Sequence, residues 1–111
     1  MMKSRIIIAK NYEVCDSFFR KLRGMMFRKK TVPLLFSFSK EKRISLHSLF
    51  CPGKMDIILL DKNMKVVEIK EGWKNWSFYG SKEKCNYLLE LPCGSVAKSR
   101  TRLGDSIKIL S

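Results

Sequence analysis

The run Met-Asp-Ile-Ile-Leu-Leu at residues 55–60 constrains this chain more than any other feature. It is bounded by Pro52 and Gly53 on one side and by Asp61, Lys62, Asn63 and Met64 on the other, residues that break or turn a strand. From Ile57 to Leu60 no polar side chain is available to face water. The segment therefore reads as a strand buried on both faces, the central strand of a sheet. Asp56 is the exception, a carboxylate in an apolar neighbourhood that needs a partner.

Other segments are organised around it. Residues 5–10 hold Ile6, Ile7 and Ile8 and read as a first strand. Asp16 or Ser17 can cap a short helix with Phe18, Phe19 and Leu22 on one face, closed by Gly24. Residues 32–39 alternate, with Leu34, Phe36 and Phe38 against Ser37 and Ser39, as a half-buried strand does. Residues 40–43 read as a charged turn that makes a hairpin of this strand and residues 44–50. After the turn at 61–64, where Asn63 tolerates positive φ and Asp61 bonds nearby backbone, residues 65–70 return as the partner of the central strand. Residues 72–80, with Trp73, Trp76, Phe78 and Tyr79, read as an aromatic-anchored loop over the sheet. A strand over 85–91 is stopped by Pro92, residues 94–99 make one helical turn, and Gly104 with Asp105 turns the chain into a last strand at 106–110.

Short strands separated by turns give a mainly β fold, a two-sheet sandwich or partly closed barrel, with one short helix after the first strand and a helical turn near 94–99. The 111 residues fit a single domain over 1–111. The early apolar run 6–9 is too short for a signal sequence or a membrane span, so the expected location is cytoplasmic. Cys15, Cys51, Cys85 and Cys93 form no C-x-x-C pair, and His47 is the only histidine, which favours buried thiols over disulfides and gives no metal site or cofactor.

Net charge is +13. Residues 1–54 hold 13 Lys or Arg against three acids, and residues 55–111 hold 10 against seven, so the excess is +10 in the first part and +3 in the second. Such a field selects anionic partners, RNA or an acidic protein. Arg20, Lys21, Arg23, Arg28, Lys29 and Lys30 form the densest cation cluster, and Lys98, Arg100 and Arg102 a second. Both are candidates for anion binding, with Trp73, Trp76 and Tyr79 as candidate stacking surfaces for bases. A solvated basic face is the plainer reading of the same residues.

Enzymatic signals are few. His47 and Cys51 on one strand would lie about 13 Å apart, too far for a nucleophile and its base. Glu90 and Asp56 each sit among apolar residues, which calls for an ion pair, with Arg20 or Arg28, or for backbone hydrogen bonds. No phosphate loop, nucleophile elbow or zinc-protease string occurs. Two functions are thus carried forward. The first is a non-catalytic module for an anionic partner. The alternative is a small enzyme or ligand pocket around His47, Asp56 and Glu90, with Trp76 and Tyr79 beside it.

The string Arg20-x-x-x-Gly24-Met25-Met26-Phe27-Arg28 resembles the opening motif of domain-of-unknown-function family 192. Pro52, Met55 and Asp56 resemble the family's central stretch, and Trp76 and Tyr79 its aromatic loop. Leu89-Glu90-Leu91-Pro92-Cys93-Gly94 is similar to its Leu-Glu-Leu-Pro-Ala-Gly string, and Gly104-Asp105 to its closing Gly-Asp. Where many members carry Trp-Met-x-Asn-Thr, this chain has His47, Ser48, Leu49, Phe50 and Cys51. The resemblance covers nearly the whole chain and implies a β-rich fold related to two-sheet sandwiches, with no reaction attached.

Overall fold

All six residues of the strand Met55–Leu60 are buried, and the rest of the fold is arranged to cover them. The computed structural model describes residues 34–47, 53–74 and 77–108, together with the backbone of two short strands near the start. In chain order the described strands are β1 (Ile6–Ile7), β2 (Glu13–Cys15), β3 (Leu34–Lys42), β4 (Ser45–His47), β5 (Met55–Leu60), β6 (Val66–Trp73), β7 (Phe78–Gly80) and β8 (Cys85–Pro92), then helix α1 (Ser95–Ser99) and β9 (Ile107–Lys108). The main sheet has the order β2-β3-β8-β5-β6, which leaves β5 paired on both sides. Only the β2–β3 pair in that sheet is parallel. Its two end strands do not meet, so the sheet stays open.

Strand alternation then sorts the core into two layers, since neighbouring residues point to opposite faces. Leu34, Phe36, Met55, Ile57, Leu59, Trp73 and Leu88 pack on one face, beneath the two-stranded β4–β7 sheet, whose Leu46 and Tyr79 close over them. Leu35, Ile58, Leu60, Leu89 and Leu91 pack on the other, beneath Val96 of α1 and Ile107 of β9. A small sheet over one face and a helical turn over the other is how this chain buries a strand with no polar side. The mainly β expectation and the helical turn at 94–99 both hold.

Several local expectations are corrected. β3 runs on through Lys40, Glu41 and Lys42 instead of turning there, because its second half lies exposed and charged side chains cost nothing at such positions. It forms no hairpin with the following strand. β3 pairs with β8, Leu35 facing Leu89, while β4 pairs with β7. The chain turns instead at Arg43 and Ile44, where Ser81 Oγ accepts the Ile44 N–H at 2.8 Å and Arg43 Nε donates to the Lys82 carbonyl at 3.1 Å. Residues 72–80 are not one loop, since Gly72 and Trp73 end β6 and Phe78–Gly80 forms β7. In the β5–β6 turn the positive φ falls on Met64 (62°), whereas Asn63 donates its N–H to Asp61 Oδ1 at 2.8 Å. The predicted helix after the first strand lies outside the described residues.

Candidate functional site

Asp56 is a buried polar centre of the fold. Its neighbours along β5 are apolar, yet its side chain is 1% exposed. Oδ1 accepts the Gly72 N–H at 2.9 Å, and Oδ2 accepts the N–H groups of Gly94 at 3.2 Å and Val96 at 2.9 Å. Two glycines in the left-handed region make this geometry. At Gly72 (φ 59°) the β5–β6 register shifts, with Met55 facing Trp73 and Ile57 facing Lys70, so the bulge turns an N–H toward Asp56. Gly94 (φ 95°) caps α1 but has no side chain to bond the helix's first N–H groups. A carboxylate from β5, some 40 residues earlier, does so instead. Asp56 thus joins three separate elements.

A second carboxylate acts in the same way on the opposite face. Glu68, at 9% exposure, accepts the N–H groups of Lys82 and Glu83 on Oε1, both at 2.8 Å, and the Tyr79 hydroxyl on Oε2. The β7–β8 connection is therefore held down by one side chain of β6. Tyr79 packs tilted against Trp73, with ring centroids 6.3 Å apart. The indole Nε1 of Trp73 is buried and has no hydrogen-bond partner. Burial first, then the hydrogen bond to Glu68 and the charge of that carboxylate, hold the Tyr79 phenol well above its ordinary value.

Cys85 belongs to this face as well, fully buried, and its thiol is pushed up to about 11 by burial and next by Glu68. Both acids titrate higher in the fold than in the unfolded chain, so the stability that Cys85 contributes is complete below about pH 9 and is lost as pH climbs through about 11, while that of Tyr79 begins to fall only above about pH 10. Thermal melts at stepwise higher pH should therefore show Tm falling from about pH 9 upward. Substituting Gln for Glu68 should flatten that fall; an unchanged slope would dissociate the carboxylate from it. Thiol chemistry gives a simpler check. Cys93 is exposed where Cys85 is not, so alkylation of the folded protein should modify Cys93 and spare Cys85 until denaturant is added, as peptide mass mapping would show. Equal rates at the two would contradict the packing.

Of the residues singled out in the sequence, the two carboxylates Asp56 and Glu90 do not converge. Asp56 faces Leu91 across the β5–β8 pair and Glu90 faces Ile57, so the two carboxylates open on opposite faces of the sheet. Asp56 has the backbone partners one of its sequence readings called for, and Glu90 is buried. His47 lies in β4 opposite Phe78, with its side chain outside the described residues. Trp76 and the cluster Arg20, Lys21, Arg23, Arg28, Lys29 and Lys30 also lie outside them. Tyr79 is half-buried and committed to Glu68, and Trp73 is in the core, which leaves neither ring free to stack on a base. Glu68 was missed. In the sequence it sits between Val67 and Ile69 as the polar member of an alternating strand, and nothing local signals that residues 82–83 fold over it.

Lys98, Arg100 and Arg102 are all exposed on α1 and the loop that leaves it. They belong to a wider pattern. Among the described residues 13 Lys and Arg side chains are exposed, against Glu41, Glu71 and Glu83 as the exposed acids. Asp56, Glu68, Glu90 and Asp105 are buried and Asp61 is half-buried. The second part of the chain, close to balanced in sequence, is therefore cationic at its surface. Among the described residues no helix is long and apolar enough to cross a membrane.

Comparison with known proteins gives kinship without chemistry. The model of domain-of-unknown-function family 192, described as "Uncharacterized ACR", matches residues 3–109. A UPF0127 protein of Pyrococcus horikoshii is 35% identical over 97 residues, covering 86% of this chain and 84% of its own length. One of Pyrococcus furiosus is 35% identical over 95 residues, covering 84% and 81%. Two crystal structures share the fold. A Sinorhizobium meliloti protein, provisionally described as a transcription regulator, superposes with a TM-score of 0.81 at 20% identity, over 87% of this chain and 79% of its own. A Novosphingobium aromaticivorans protein of unknown function gives 0.79 at 17%, over 87% and 73%.

Proposed function

From the premise that this chain belongs to domain-of-unknown-function family 192, to which no reaction is assigned, we propose that it is a non-catalytic binding module for an anionic partner. One observation supports the reading: among the described residues the fold takes four carboxylates inside and leaves the Lys and Arg side chains exposed. A buried acid keeps its charge but cannot itself meet or repel a ligand at contact, so the groups a partner touches at the surface are mostly cations. The carboxylate best placed for acid–base work, Asp56, has both oxygens occupied by backbone N–H groups, which supports binding over catalysis.

RNA is the polyanion with which to test this. Fluorescence anisotropy with a labelled single-stranded RNA should give an affinity that falls about tenfold or more as salt is raised fourfold, the sign of several phosphate contacts. Charge reversal at Lys98, Arg100 and Arg102, set against reversal at Arg28, Lys29 and Lys30, separates the two cation clusters. An affinity indifferent to salt and to both sets of reversals would sink the proposal.

A further inference from the structure

We infer that the flank formed by the α1 exit loop and the β5–β6 turn is a docking surface for an anionic lipid bilayer, with Leu103 entering the headgroup layer. The inference rests on the anionic-partner reading and gives it a place and a chemistry. The two segments are nearly 40 residues apart but are joined through their backbones. Val66 N–H donates to the Asp105 carbonyl at 2.8 Å, Gly104 N–H to the Val66 carbonyl at 2.8 Å and Ile107 N–H to the Met64 carbonyl at 2.9 Å, and Lys65 bridges to Ser106. One continuous surface results.

Its fully exposed charges are of a single sign. Lys62, Lys65, Arg100 and Arg102 are exposed on the two segments, and Lys98 is exposed in the last turn of α1. The acids there, Asp61 and Asp105, are turned to backbone instead: Asp61 Oδ1 accepts the N–H groups of Asn63 and Lys65, and Asp105, 6% exposed, accepts the Arg102 N–H at 2.8 Å. Beside the arginines, at the tip of the turn, Leu103 is 65% exposed, one of two large apolar side chains so exposed among the described residues. The loop that presents it is held by Thr101, buried at 6%, whose N–H donates to the Val96 carbonyl, and by the Ser99 and Thr101 hydroxyls 2.6 Å apart.

The apolar tip decides the class of partner. A nucleic acid offers phosphates to the cations but sugar and phosphate to the leucine, and no aromatic ring is exposed on these two segments to stack on a base. A bilayer of anionic lipid offers both halves of the match, phosphate and carboxylate at the surface and hydrocarbon a few ångströms below. Each cation near such a surface strengthens binding about fivefold, so five of them suffice for reversible attachment without a second anchor.

Vesicle co-sedimentation tests this, with phosphatidylserine mixed into phosphatidylcholine against phosphatidylcholine alone, and the same RNA anisotropy run in parallel. The protein should sediment with the anionic vesicles only and be released by salt. Arg100→Glu with Arg102→Glu should weaken attachment at least 100-fold, and Leu103→Ser about tenfold while leaving RNA binding untouched. Lys54→Glu with Lys70→Glu, an equal charge change on exposed residues away from this flank, should lose far less; circular dichroism melts confirm that each variant is folded. Binding to RNA but not to anionic vesicles overturns the lipid inference and leaves the anionic-partner reading standing. So does vesicle binding that ignores Leu103→Ser or that responds equally to the Lys54 and Lys70 pair. Failure to bind either anion overturns both.

Discussion

Replacing Asp56 with alanine is expected to lower the free energy of unfolding by about 3–5 kcal/mol, the loss of three hydrogen bonds to a buried carboxylate at roughly 1–2 kcal/mol apiece. The Val96 N–H is buried and the other two donors are partly so, which means water recovers only part of the loss. Small domains unfold at about 5–15 kcal/mol, so the variant should sit near the edge of folding. Asn should be nearly as harmful as Ala. All three partners are backbone donors, one on Oδ1 and two on Oδ2, and an amide must place its own NH2 against at least one of them. Urea titration of the three proteins would show it as midpoints displaced together. A variant with Asn that melts like the parent would mean that these bonds are not what holds α1 and the β6 bulge to β5.

What the sequence reveals here depends on how local each signal is. The burial of β5 is legible because four consecutive residues, Ile57 to Leu60, have no polar alternative, and the inward side of β3 is legible from the spacing of Leu34, Phe36 and Phe38. Partner choice is not legible. β3 passes over the strand that follows it to pair with β8, more than 50 residues on, because its exposed and charged second half does not turn back. The need of Asp56 for a partner is visible in a strand that is otherwise apolar, but the identity of that partner follows from a bulge at Gly72 and a cap at Gly94, two features set by tertiary register. Glu68 shows the limit most plainly: its neighbours give it the pattern of a solvent-facing residue, and only the return of residues 82–83 makes it a buried one.

Charge is the property most altered by folding. The sequence places its excess in the first 54 residues, yet of the seven acids that temper the remainder, four are buried as hydrogen-bond acceptors or core neighbours and a fifth is half-buried in a turn. Carboxylates here are structural parts. Small elements such as α1, at five residues too short to be stable alone, are held by them, and the same use leaves Glu41, Glu71 and Glu83 as the exposed acids among the described residues, against 13 exposed lysines and arginines. Stability and surface potential are thus linked through the same side chains.

That linkage makes Glu68 the sharper test of the two buried acceptors, because chemistry predicts opposite outcomes for its two simplest variants. Glu68→Ala strands the N–H groups of Lys82 and Glu83 and the Tyr79 hydroxyl, and should cost about 2–4 kcal/mol. Glu68→Gln should cost less than about 1 kcal/mol, since the amide oxygen can keep both N–H donors while its NH2 donates to a hydroxyl that is free to accept. Asp56 has no such partner that can exchange roles, so an Asn there has no escape. The contrast is read by urea titration together with amide exchange at Lys82 and Glu83, which should quicken strongly in the Ala variant and little in the Gln variant. The Gln variant should also bring the Cys85 thiol below its folded value of about 11, since Glu68 is the second cause of that shift after burial. Equal destabilisation by Ala and Gln would show that the charge of Glu68, rather than its pattern of acceptors, holds the β7–β8 connection in place.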